Sequence, residues 1–300
     1  MKKIAVLVFV LIAASTVSMA QMGKGMGMHD VRAIEYAQEQ FTEDMHISRG
    51  GQLYDDWWKT APDTKKPGGD HPLWKTQGTN KQSGYATYRC KECHGWDYLG
   101  KDGAYGKGSH YTGFIGVYTA SRKMSLTELE SALRGSTNRD HDFSVHLSSA
   151  DIADLALFMK KGIIDLTKFI NTDGAPVSGN PGEGGSLFMN NCTHMCHGHN
   201  GTGINFGDEK EPEFIGTVAN ENPWEFIHKV RSGQPGARMR SAIINQWSDN
   251  HILDLLSYAR TLPKDVPEAG WFTRMMRGLG MGQHDWFIPE DSRGFGPLMD

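Results

Sequence analysis

The sequence predicts an all-α chain: two tandem helical domains with loop-rich insertions and extended termini. Three observations predict it. A fixed order of segments occurs twice along the chain, which is the mark of an internal repeat. Each copy closes on an amphipathic stripe of helical period. Glycine is abundant, 36 of 300 residues, so the helices are separated by long loops. The hydrophobic share of 38% is enough for real cores, and a net charge of −4 gives no sign of nucleic-acid binding.

The elements follow in order. Lys2 and Lys3 precede the apolar run Ile4 to Ala14, which is short for a membrane span. Ser18-Met19-Ala20 supplies small residues before Gln21, so residues 1–20 read as a signal peptide cleaved there. The mature chain, 29 basic against 35 acidic residues, then carries −6 and has no integral membrane span. This predicts an exported, periplasmic protein. Residues 21–47 form an N-terminal arm, and the Met-Gly run at 22–28 reads as tail. The first domain spans 48–171. It opens on G-G-Q-L-Y (50–54), followed by a tryptophan-containing insertion before Cys90. Leu126–Gly135 reads as a short helix ending in glycine, and 147–159 as a longer helix with Ile152, Leu155, Ala156 and Met159 on one face. The Gly/Pro/Ser stretch 172–185 reads as a linker. The second domain, 186–263, repeats the order after a matching lead-in, G-G-S-L-F (184–188). Its short helix is 224–233, and its long helix 247–259 places Ile252, Leu255, Leu256 and Ala259 on one face. Ser148 and Ser248 are the expected N-caps. Residues 264–300 form a C-terminal extension.

Four cysteines are present, in two tight pairs, each followed by histidine: C-K-E-C-H-G from Cys90 and C-T-H-M-C-H-G from Cys192. A disulfide does not need that histidine, and a zinc site needs a further ligand pair. C-x-x-C-H reads as c-type haem attachment: two thiols take the two vinyl groups, and the next imidazole binds iron. Cys90 and Cys93 are the expected thioether positions, and His94 the proximal ligand. The second motif has one residue more. Its place in the repeat makes it a variant haem site, C-x-x-x-C-H, with Cys192 and Cys196 attached and His197 proximal. The segment between the cysteines must bulge outward, and His194 within it is poorly placed to bind iron. Attachment through Cys196 alone is the alternative.

This order of lead-in helix, Cys-His motif, short helix, loop and long helix resembles two copies of the class I cytochrome c fold, over roughly 48–165 and 182–263. The resemblance implies two covalently bound haem c groups, a first helix crossed by the last, and a sixth iron ligand on the loop before the last helix. Six residues beyond the glycine that ends each short helix stand His141 (from Gly135) and Met239 (from Gly233). The resemblance thus assigns Met239 to the second iron, although Arg240 follows it where the family often has proline. His141 is the matching residue for the first iron, with His146 and His110 as competitors. His228 and His251 read as surface residues on helices. In the family a proline carbonyl commonly receives the proximal imidazole N–H. Pro212 or Pro223 fits that role in the second copy. No proline lies between His94 and Pro176, so the first copy must use another carbonyl.

Two six-coordinate haems imply electron transfer. The first, with two imidazoles, is expected at low potential, and the second, with a thioether, at high potential. The chain then passes electrons between exported redox partners, as a shuttle or as a subunit of a larger respiratory complex. Its acidic surface favours partners with a basic docking patch. The alternative is a dihaem redox enzyme, of peroxidase or thiosulfate-oxidising type, with a reactive first haem. Trp57, Trp58 and Trp74 in the insertion either cover that haem or dock a partner.

Overall fold

The computed structural model describes residues 28–61, 63–208 and 210–265, with side chains from residue 37 onward apart from those of His194 and Met195. The signal peptide, residues 21–27 of the arm and the extension beyond 265 lie outside the described residues. Among the described residues the fold is all-α. Helices are joined by 3-10 turns, there is no strand, and three isolated bridges are the only extended pairing. No helix among them is long and apolar enough to cross a membrane.

Helix α1, Met28–Thr60, is bent where Asp56 leaves helical geometry (φ −149°, ψ 87°). The expected arm is therefore helical from Met28 rather than extended. No glycine or proline interrupts residues 28–48, so nothing in that stretch breaks a helix. The chain divides between Met45 and His46 into two compact units. In the first, Asp44 accepts from Gln40 one turn earlier (3.0 Å). Everything below belongs to the second.

Helix α2 is the short Cys90–His94 turn, followed by α3 (Tyr118–Lys123), α4 (Leu126–Leu133) and α5 (Ser149–Leu157), whose end widens into a π turn at Phe158–Gly162. The second half contributes α6 (Pro181–Asn191), α7 (Ile215–Glu221), α8 (Pro223–Ser232) and α9 (Asp249–Ala259). Ser148 and Ser248 cap α5 and α9 through capping boxes, closed by Asp151 and His251. Both expected apolar stripes are buried: Ile152, Leu155, Ala156 and Met159 in one half, Ile252, Leu255, Leu256 and Ala259 in the other.

The repeat is visible as one helix crossing made twice. Gly50 of α1 lies so close to α5 that an added Cβ would stand 2.1 Å from the Asp154 carbonyl oxygen. Gly184 of α6 meets α9 in the same way, 1.9 Å from the Asp254 carbonyl oxygen. The two aspartates are 100 residues apart. Each also accepts from the lead-in segment: Asp154 from Arg49 beside Gly50 (2.6 Å), Asp254 from the backbone of Asn180, the cap of α6 (2.6 Å). The glycines that suggest a flexible linker are thus contact residues. The predicted linker ends at Asn180, which caps α6, and 181–185 are its first turn. Lacking side chains, these glycines let the backbones touch.

The two halves share one core, and their junction is polar as well as apolar. Ser48 Oγ and Gln52 Nε2 both donate to the Ser232 carbonyl (2.8 and 2.9 Å). Asp55, fully buried on α1, pairs with Arg89 and with Lys229 of α8 (2.7 Å). His228 is buried here, which corrects its expected surface position. It sits on the inner face of α8, donating from Nε2 to the Gly51 carbonyl (3.0 Å) and accepting at Nδ1 from Tyr98 Oη (2.8 Å). Helical placement alone did not say which face meets the first half. His251 is exposed, as expected.

Candidate functional site

In the first half the Cys-x-x-Cys-His motif folds as one α-helical turn. Gly95, at φ +75°, ends it and donates to the Lys91 carbonyl (2.9 Å). Lys91 and Glu92 are buried as an ion pair, whereas Cys90, Cys93 and His94 are half-buried on the remaining face. Neither cysteine pair forms a disulfide. Burial pushes the Cys90 thiol up to about 12.

His94 is oriented by its backbone neighbour. Nδ1 lies 2.6 Å from the Ile115 carbonyl oxygen. A carbonyl only accepts, so Nδ1 carries the proton and Nε2 presents a bare lone pair. This is the non-proline carbonyl that the sequence requires. Tyr98 returns the strap 115–118 to the motif, accepting the Tyr118 N–H (3.0 Å). Desolvation, then the nearby His141, lowers the His94 pKa to about 4, so the ring is neutral, as a metal ligand must be.

His141 stands opposite. It lies in a 3-10 turn, Arg139–His141, reached six residues after Gly135, and that glycine's φ of +77° turns the chain back after α4. The His94 and His141 ring centroids are 6.1 Å apart with planes at 73°. Two imidazoles bound at about 2.0 Å to one metal ion would hold their centroids roughly 6 Å apart. The other candidates go elsewhere. His146 stacks on buried Trp57 (5.4 Å, 23°), and exposed His110 stacks on Tyr105 (4.8 Å, 17°). Trp57 also meets Phe143 edge-on (6.5 Å), and Phe143 in turn meets His141 (5.0 Å). Trp74 is buried, its Nε1 donating to the Gln82 carbonyl (2.8 Å). These two indoles face inward; Trp58 is half-buried under Lys66.

One residue near this site went unread in the sequence. His71, in the insertion, lies with its ring 6.3 Å from that of His141 and stacks on Phe143 (5.7 Å). Only its isolation in G-G-D-H-P-L-W signalled it. No repeat partner exists at that position, so the comparison of halves could not find it.

In the second half the extra residue is absorbed by the backbone. Thr193–His197 is a π turn, in which His197 N–H reaches back five residues to the Cys192 carbonyl (3.3 Å). A π turn is the way a helix accommodates one inserted residue, and such turns cluster at functional sites. The exit is the same as in the first motif. Gly198 takes φ +68° where Gly95 takes +75°, and six residues after each motif histidine a glycine donates to its carbonyl (Gly100 and Gly203, both 2.9 Å). Cys192 and His197 are half-buried and Cys196 is exposed. His197 Nδ1 is buried with no partner, so neither Pro212 nor Pro223 supplies the expected carbonyl. Burial lowers the His197 pKa to about 4, keeping the ring neutral. An unpartnered neutral imidazole beside two thiols fits a site completed by a prosthetic group.

Met239 is partly buried against the core, on a loop tied back to α8 by Ser241 Oγ and the Arg231 carbonyl (2.6 Å). Arg240 reaches Asn191 (3.3 Å), the residue before Cys192, so the loop that carries Met239 returns to the second motif. Among the described residues no three His, Cys, Asp or Glu side chains converge as a ready-made ion site. What the first site offers is a facing imidazole pair beside two thiols.

Comparison with known protein families, characterised proteins and solved structures gives no match to this chain.

Proposed function

We propose that the chain is a dihaem c-type cytochrome that passes electrons between exported redox proteins. The facing pair His94 and His141 carries this reading: two neutral imidazoles at axial separation, one fixed by the Ile115 carbonyl, beside Cys90 and Cys93. When bound, each haem supplies one-electron chemistry at its iron. The chain sets the rest. The His94 Nδ1–H bond fixes the ring plane and strengthens the donor at Nε2. Phe143 packs against His141, with Trp57 edge-on behind it. Cys192, Cys196 and His197 would hold the second group, and Met239 would supply it a thioether. An imidazole pair at the first site and a thioether at the second make the first centre the weaker oxidant. Export to the periplasm, and partners with basic docking patches, belong to the same reading.

Low-temperature EPR of the oxidised full-length holoprotein tests it. The expected result is two low-spin ferric signals, one of bis-imidazole and one of imidazole–thioether type. The intact mass should account for two haems with no free thiol. A protein purified without haem, or with four free thiols, would overturn the reading. A redox-enzyme role for the first site is favoured by one observation, the position of His71.

A further inference from the structure

His71 is held from several sides. Its N–H donates to Thr87 Oγ1 (2.8 Å), and its carbonyl accepts from Trp74 N–H (2.7 Å). Its ring lies between Phe143 and Tyr88, 4.9 Å from the latter, and meets His141 at 62°. Leu73 N–H donates to His71 Nδ1 (3.2 Å). A nitrogen that accepts carries no proton, so the neutral ring holds its proton on Nε2. His71 is therefore a donor at Nε2 rather than a ready iron ligand. The same residue lines a solvent-open groove formed by Asp70, Trp74, Lys75, Asn80 and Lys81. Two lysines against one aspartate give that groove a positive balance. The groove is thus lined in part by a residue whose ring lies 6.3 Å from that of His141.

We propose that this groove admits a small anion to the distal side of the first haem, where it takes the position His141 vacates and accepts a hydrogen bond from His71. The proposal rests on the haem reading above and goes beyond it. It gives the 55–89 insertion, which the second half lacks, a task in ligand binding.

Cyanide is the probe, followed by the absorption of the haem in the full-length holoprotein. His141→Ala opens the position. In that background, His71→Ala should weaken cyanide binding about tenfold, mostly through faster release, as expected for one lost hydrogen bond to a charged ligand. His71→Gln, which keeps a donor, should recover part of the loss. Gly78 also lines the groove, and a Cβ there meets nothing within 4 Å. Gly78→Trp should therefore fold normally and slow cyanide association. Equal cyanide affinity with and without His71, in variants that carry both haems, would overturn the donor role. Unchanged association in Gly78→Trp would overturn the route. A wild-type protein showing no haem in its alkaline pyridine spectrum would fail the underlying reading instead, so the two failures are distinguishable.

Discussion

At the scale of single residues, the proposed chemistry of the first site depends on which imidazole atoms face the space between His94 and His141. His94 is fixed by the Ile115 carbonyl and His141 by the turn after Gly135. Replacing His141 by methionine exchanges an imidazole, which favours the oxidised centre, for a thioether, which favours the reduced one. His141→Met should raise the potential of the first centre toward that of the second. A spectroelectrochemical titration that still resolves two unchanged waves would remove His141 from the ligand set. Residues in the repeated motifs were legible because their spacing recurs in both halves. His71 and Ile115 were not. One acts through its place in an unrepeated insertion, the other through a backbone carbonyl that any residue could provide.

At the scale of elements, the glycines mislead when read by composition. Gly184 stands in a stretch rich in Gly, Pro and Ser, which predicts a linker. The structure uses it to bring α6 onto α9, as Gly50 brings α1 onto α5. Gly184→Ala places a methyl group against the Asp254 backbone, which no rotamer relieves. The expected cost is about 1–3 kcal/mol, as for overpacked contacts generally, measured by chemical denaturation. Gly182→Ala is the control, since its nearest neighbour is the Asn180 side chain at 3.2 Å. The same scale explains the three-residue spacer. One extra residue widens a turn from α to π and leaves the exit at Gly198 as it is at Gly95.

At the scale of the whole molecule, the junction is a buried polar network that joins the halves. Arg89 and Lys229 hold the Asp55 carboxyl well below the usual carboxylate range, against the opposing effect of burial. Asp55→Asn leaves two buried cations without their partner and should destabilise the protein by about 3–5 kcal/mol. Calorimetry showing less than about 1 kcal/mol would mean the network is replaceable. His228 gives the junction a pH dependence. Burial lowers its pKa to about 4, so the folded state keeps the ring neutral where the unfolded chain, titrating near 6.5, has taken up a proton. The contribution is complete above about pH 6.5 and is lost as pH falls toward 4, about 3 kcal/mol in all. His228→Gln should flatten the fall in stability across that window, and an unchanged slope would show that other groups set it.

The sequence by itself determined the all-α class, the two amphipathic stripes, their serine caps and the doubled order of elements, because each follows from periodicity and local hydrogen bonding. It also marked Cys90, Cys93, His94, Cys192, Cys196 and His197 as paired motifs. Only the tertiary structure decided that His141 rather than His146 or His110 faces His94, that His228 is a junction residue and not a surface one, and that the second motif opens as a π turn. These depend on which faces of distant segments meet. A loop of a few residues can present its histidines to either side at similar local cost, so the packing partner makes the choice.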